Sequence, residues 1–75
     1  MADTALVNPR LRLILVTDGV GDPDRVEKVV HEALLGGVRC VQLRESKWSA
    51  RQMLRACERL TPMLEKFDGL LLVND

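Results

Sequence analysis

Three apolar runs in this chain end in side chains able to bind or polarise a small molecule. Val41 leads into Gln42-Leu43-Arg44-Glu45, so an amide, a guanidinium and a carboxylate follow in close succession. Leu13-Ile14-Leu15-Val16 leads into Thr17-Asp18, and Leu70-Leu71-Leu72-Val73 into Asn74-Asp75. Polar groups at the ends of apolar strands are the arrangement of α/β proteins, which do their chemistry at the C-terminal edge of a parallel sheet. The stretches between the runs have helical periodicity, so the pattern is one of consecutive β/α units.

The elements that must position these groups follow from local signals. Residues 1–10, with Asn8-Pro9, read as a flexible leader, since a residue before proline is biased away from helix. Leu11 to Val16 is the first strand, and its last four residues are continuously apolar, as in a strand covered on both faces. In the following loop, Gly19 and Gly21 begin a dinucleotide-binding fingerprint. The third glycine is lacking, however, and Asp22 and Asp24 would meet a pyrophosphate with negative charge, which excludes that motif. Asp22 reads instead as a helix N-cap, Pro23 as the first helical residue, and Asp24 as a complement to the helix dipole. Val26, Val29, Val30, Ala33 and Leu34 share one helical face, Arg25, Glu27, Lys28 and Glu32 the wet side, and Gly36-Gly37 the stop. His31, the only histidine, is presented to no strand end and reads as a flank residue.

Val38 to Leu43 is the second strand. Ser49 opens the second helix, and Gln52 completes a capping box. Met53, Cys57, Leu60, Leu64 and Phe67, flanked by Leu54 and Ala56, form a core stripe at helical spacing. Pro62 falls inside it and should kink the helix or divide it at Thr61, which could cap a new helix. Asp68-Gly69 ends the helix, and Gly69 to Val73 is the third strand. Trp48 either lies over a ligand or staples onto Met53, and the staple is the favoured reading.

Composition bounds the function. With 75 residues, 47% hydrophobic and 29% charged, and a formal net charge of +0, the chain has the make-up of a soluble globular protein. Its cations are spread along helix faces and matched by acids, which argues against nucleic acid as a partner. No run reaches the roughly 18 apolar residues of a membrane span, and the N-terminus lacks the features of a signal peptide, so a cytoplasmic location is expected. Cys40 and Cys57 read as reduced core thiols. Successive strand ends lie about thirty residues apart, the size of a βαβ unit. Right-handed crossovers place both helices on one face of the sheet. The other face then stays apolar and open, so either the strands belong to a closed barrel or something outside the chain covers them.

Leu15-Val16-Thr17-Asp18, the Gly36-Gly37-Val38 turn, Val41-Gln42-Leu43-Arg44-Glu45 and Leu72-Val73-Asn74-Asp75, in this order and at these intervals, resemble the first three β/α units of thiamine phosphate synthase. The related thiazole tautomerases share much of the pattern. The resemblance covers residues 11–75 and implies the N-terminal portion of a TIM (β/α)₈ barrel, incomplete in this chain, with its active site at the C-terminal mouth. It implies a transferase of thiamine biosynthesis that joins hydroxymethylpyrimidine diphosphate to a thiazole phosphate and releases pyrophosphate. Carried over by position, Gln42 contacts the pyrimidine, and Arg44 turns its planar fork to two diphosphate oxygens. Asn74 contributes an amide to the substrate, and Asp75 is the first carboxylate for Mg²⁺. Leu43, Glu45 and Ser46 complete the binding segment, Leu43 as packing and Glu45 as a brace for the loop.

Two departures bear on that reading. Ser46 stands where the family carries lysine, and Lys47 follows one step on, which removes a positive charge from an anionic site and gives ground to the tautomerase. The family's second magnesium aspartate, its thiazole-phosphate loops and the tautomerase histidine belong to positions beyond Asp75. The isolated chain is therefore expected to be inactive, and either to self-associate or to need a complementing C-terminal segment. The alternatives are a thiazole tautomerase-like protein, a non-catalytic barrel fragment that packs with a partner, and a doubly wound, flavodoxin-like fragment that the βαβ pattern also permits.

Overall fold

A computed structural model describes residues 13–73, which run β1 (Ile14–Thr17), α1 (Pro23–Leu35), β2 (Cys40–Leu43), α2 (Ala50–Lys66) and β3 (Leu70–Val73). The leader at residues 1–10 lies outside the described residues, as do Asn74 and Asp75. The strands form one parallel sheet in the order β1-β2-β3, with Ile14 opposite Cys40 and Cys40 opposite Leu70. Paired residues of a parallel sheet point to the same face. Leu15, Val41 and Leu71, with Thr17, Leu43 and Val73, therefore share one face, and Ile14, Cys40 and Leu70, with Val16, Gln42 and Leu72, share the other.

The core lies on the first face. Val41 and Leu43 pack with Val26, Val30 and Leu34 of α1 and with Ala56, Leu60 and Leu64 of α2, so both helices cover the same side of the sheet, as the crossover rule requires. Each of these leucines is essentially fully buried, a contribution of about 1.5–3 kcal/mol apiece. On the open face Ile14, Val16 and Leu72 are 48%, 44% and 46% exposed, the apolar surface anticipated there. Cys40 departs from that expectation. It sits on the central strand between Ile14 and Leu70 and is fully buried.

Both helix starts follow from their caps. Asp22 Oδ1 accepts from the Arg25 N–H at 2.8 Å with Pro23 leading α1, while Ser49 and Gln52 form the reciprocal capping box of α2, at 3.2 and 2.8 Å. α1 stops at Gly36, and Gly37 turns the chain at φ 111°. Three details of α2 correct the sequence reading. The helix is continuous through Pro62 from Ala50 to Lys66. The N–H that proline lacks would serve the Glu58 carbonyl, and both residues are exposed, so water can take that carbonyl. Thr61 caps nothing, and its hydroxyl donates to the Cys57 carbonyl at 2.7 Å. The buried stripe is Ala56, Leu60 and Leu64, with Met53 and Cys57 at its margin and Leu54 turned 61% into solvent.

Arg59 of α2 bridges Asp24 at 2.5 Å and Glu27 at 3.2 Å of α1, so acids and bases pair across the helices. His31 is exposed and sits edge-on to Phe67, with ring centroids 6.4 Å apart, a flank position as expected. Both cysteines are free thiols, and burial pushes the Cys57 thiol above its ordinary pKa. No helix is long and apolar enough to cross a membrane among the described residues.

Candidate functional site

The C-terminal edge of the sheet is built from two loops, Asp18–Asp22 after β1 and Arg44–Ser49 after β2. Gln42, half-buried, is the one polar residue on the open face within the strands. Leu43 points the opposite way into the core, as strand alternation requires, and so acts as packing. Arg44 is exposed and makes no ion pair among the described residues. Its backbone is fixed, since the Arg44 N–H donates to Thr17 Oγ1 at 3.1 Å and Thr17 is fully buried. β1 thus extends one residue further than the apolar run, and its last residue is a buried acceptor for the neighbouring loop.

Glu45 is only 5% exposed. Its Oε2 accepts from the Val20 N–H at 3.4 Å, which makes it a brace between the two loops. Trp48 adds a second tie, with Nε1 donating to the Gly21 carbonyl at 2.8 Å. The Trp48 N–H also donates to the Glu45 carbonyl at 3.1 Å and closes the turn after β2. Trp48 and Met53 both line one cavity of about 530 Å³, together with Glu45, Ser46, Leu54 and Cys57. A second cavity of about 390 Å³ lies between the loops, lined by Asp18, Gly19, Gly21, Glu45, Ser46, Lys47 and Trp48.

The residues expected at the site therefore divide. Glu45 and Ser46 meet at the cavities, with Lys47 beside Ser46 on the second one. Gln42 and Arg44 stand on the rim and line neither cavity. Asn74 and Asp75 fall outside the described residues, and among those described no group of three or more His, Cys, Asp or Glu side chains could hold a metal ion. Thr17 and the indole N–H of Trp48 are the contributions that residue pattern did not assign. Both bond across more than twenty positions, and the one available sign was the polar Thr17 closing an apolar run.

The sequence profile described as thiamine monophosphate synthase matches residues 13–75, nearly the whole chain. The chain belongs to the thiamine monophosphate synthase family. It is 38% identical to the thiamine-phosphate synthase of Halalkalibacterium halodurans, over 85% of this chain and 31% of that protein. It is 43% identical to a putative thiamine-phosphate synthase of Geobacter sulfurreducens, over 84% of this chain and 30% of that one. A probable thiamine biosynthetic bifunctional enzyme of Schizosaccharomyces pombe matches at 35% identity over 84% of this chain and 12% of its own length. The chain thus spans about a third of the first two relatives. No solved structure matches it significantly. The parallel β-α-β-α-β order is that of consecutive β/α units of this family, which takes the ground from the flavodoxin-like alternative.

Proposed function

We propose that this thiamine monophosphate synthase family chain supplies the pyrimidine-diphosphate side of a thiamine phosphate synthase active site, within a (β/α)₈ barrel. In that reaction the bond from the pyrimidine methylene carbon to the diphosphate oxygen breaks, and its electron pair leaves with pyrophosphate. The pyrimidine-stabilised cation is captured by the thiazole nitrogen. The protein must hold the pyrimidine and neutralise charge on the leaving group. Residues Gln42 to Ser46 and Asn74 form the binding segment, in which Gln42 meets the pyrimidine and Arg44 the diphosphate.

The observation that carries this reading is Arg44, whose guanidinium is exposed at the C-terminal edge with no carboxylate partner among the described residues. A free planar fork there suits two phosphate oxygens. Asp75 would contribute one carboxylate to Mg²⁺, which offsets negative charge on a diphosphate when bound. One carboxylate does not make a magnesium site, so the chemistry assigned to this chain is binding and orientation.

A chimera tests the reading directly, with residues 13–75 replacing the matching segment of the Halalkalibacterium halodurans relative. Thiamine phosphate should form from the two substrates, and Arg44→Ala should cut turnover about 100-fold or more. Unchanged turnover would remove Arg44 from the site. Ser46 in place of a lysine favours a second reading, thiazole tautomerisation, which a chimera that isomerises thiazole phosphate without releasing pyrophosphate would support. The open face of Ile14, Val16 and Leu72 further supports a covering partner, either a complementing barrel segment or a second copy. Gel filtration of the 75-residue chain with an apolar dye should report association or dye binding, and a compact monomer that binds no dye rejects a covering partner.

A further inference from the structure

We propose that Glu45 and Trp48 are positioning residues, which lock the loop after β1 onto the loop after β2 and thereby fix where Arg44 stands. The proposal rests on the reading of Arg44 as the diphosphate-binding group. Glu45 is a carboxylate buried to 5% exposure with no cation paired to it among the described residues. A buried oxygen is costly unless it is hydrogen-bonded, which ties this side chain to its partner. Its side chain accepts a hydrogen bond from the Val20 N–H on the opposite loop, at 3.4 Å.

Three ties run in sequence order from β1 and the loop after it to the loop after β2: Arg44 N–H to Thr17 Oγ1 at the end of β1, then Val20 N–H to Glu45 Oε2 and Trp48 Nε1–H to the Gly21 carbonyl between the loops themselves. Arg44 is thus held at its own nitrogen, and the next residue is pinned by its side chain. The first loop cannot hold itself. Gly19 at φ 70° and Gly21 at φ 148° give it freedom that other residues lack, and that freedom must be removed from outside. Glu45 and Trp48 also line both cavities. An arginine on a fixed backbone searches less space for its ligand, which is the entropic gain of preorganisation.

The test uses the 75-residue chain, inorganic pyrophosphate as the probe, calorimetry for affinity and amide hydrogen exchange at Arg44 and Val20. Glu45→Ala and Trp48→Phe should keep the helical circular dichroism, weaken pyrophosphate binding roughly tenfold and speed exchange at the Arg44 amide by a similar factor. Glu45→Gln should restore both readouts, because its amide oxygen still accepts from Val20. Unchanged Arg44 exchange in Trp48→Phe and Glu45→Ala overturns the proposal, as does a Glu45→Gln chain no better than Glu45→Ala. Should Glu45→Ala unfold, Trp48→Phe decides by itself. Arg44→Ala tests the underlying reading separately. If it leaves affinity unchanged, or if the wild-type chain binds no pyrophosphate, the diphosphate assignment falls and exchange at the Arg44 amide alone decides whether the two residues hold that backbone. Where binding does need Arg44, faster exchange with undiminished affinity also overturns the proposal.

Discussion

The two ends of the sheet are held together by different means. At the N-terminal end of the strands the contacts are largely backbone to backbone. The Leu70 N–H donates to the Arg39 carbonyl at 2.7 Å, the Gly69 N–H to the Leu64 carbonyl at 2.8 Å, and the Val38 N–H to the Ala33 carbonyl at 3.0 Å. Arg39 reinforces this end by donating to the Leu34 and Val38 carbonyls while its guanidinium lies 5.2 Å from the Phe67 ring centre. At the C-terminal end, side chains of Thr17, Glu45 and Trp48 tie β1 and the loop after it to the loop after β2. Backbone ties accept many sequences and serve stability. Side-chain ties demand particular residues, and they leave the glycine-rich loop and the Arg44 side chain available to a ligand. The same division of labour separates the two faces of β/α barrels.

The largest effect that would sharpen this contrast is expected at Gly69. A Cβ there would lie 2.9 Å from Leu64 Cδ2 and 3.0 Å from the Arg39 carbonyl, so Gly69→Ala should destabilise the chain by about 1–3 kcal/mol in urea titration. Arg44 amide exchange measured below the unfolding transition should be unaffected. A change at Thr17 acts at the other end. Thr17→Val keeps the buried volume but removes the acceptor of the Arg44 N–H, so stability should fall by about 1 kcal/mol and exchange at that amide should rise. Equal disturbance of both ends by either substitution would break the contrast. The smallest effect belongs to Cys57, whose thiol burial holds above its ordinary pKa. The folded chain keeps this proton more tightly than the unfolded one, so the contribution is complete below about pH 8.5 and is lost as pH rises through the folded value. The stability difference between wild type and Cys57→Ala should therefore shift against the wild type as pH rises above about 8.5, with no such shift expected below pH 7.

Much of the fold was legible because its signals are local. Asp22, Pro23, Ser49 and Gln52 announce the helix starts within a turn of the bonds they make, and the apolar runs mark the strands. The helix after β2 is less legible. Pro62 argues for a kink or a division on local grounds, and its exposed position lets the helix run through it undivided. Leu54 fits the apolar spacing but lies off the Ala56, Leu60 and Leu64 face that packing selects. The end of α2 divides its duties in a way that Asp68-Gly69 does not announce. Asp68 takes the left-handed conformation at φ 55°, and Gly69 is needed for close approach. At the candidate site, strand alternation places Leu43 in the core, opposite Gln42. The loop ties of Thr17 and Trp48 could not be placed so, because their partners are remote in sequence and obey no period.

The strand order β1-β2-β3 is also the chain order, and each new strand pairs only with the one made just before it. Among the described residues no pairing waits on a distant segment, so each of these docking steps closes a loop of one crossover. Folding of such a sheet can advance as a zipper from the first unit during synthesis, each finished β/α unit serving as the template for the next.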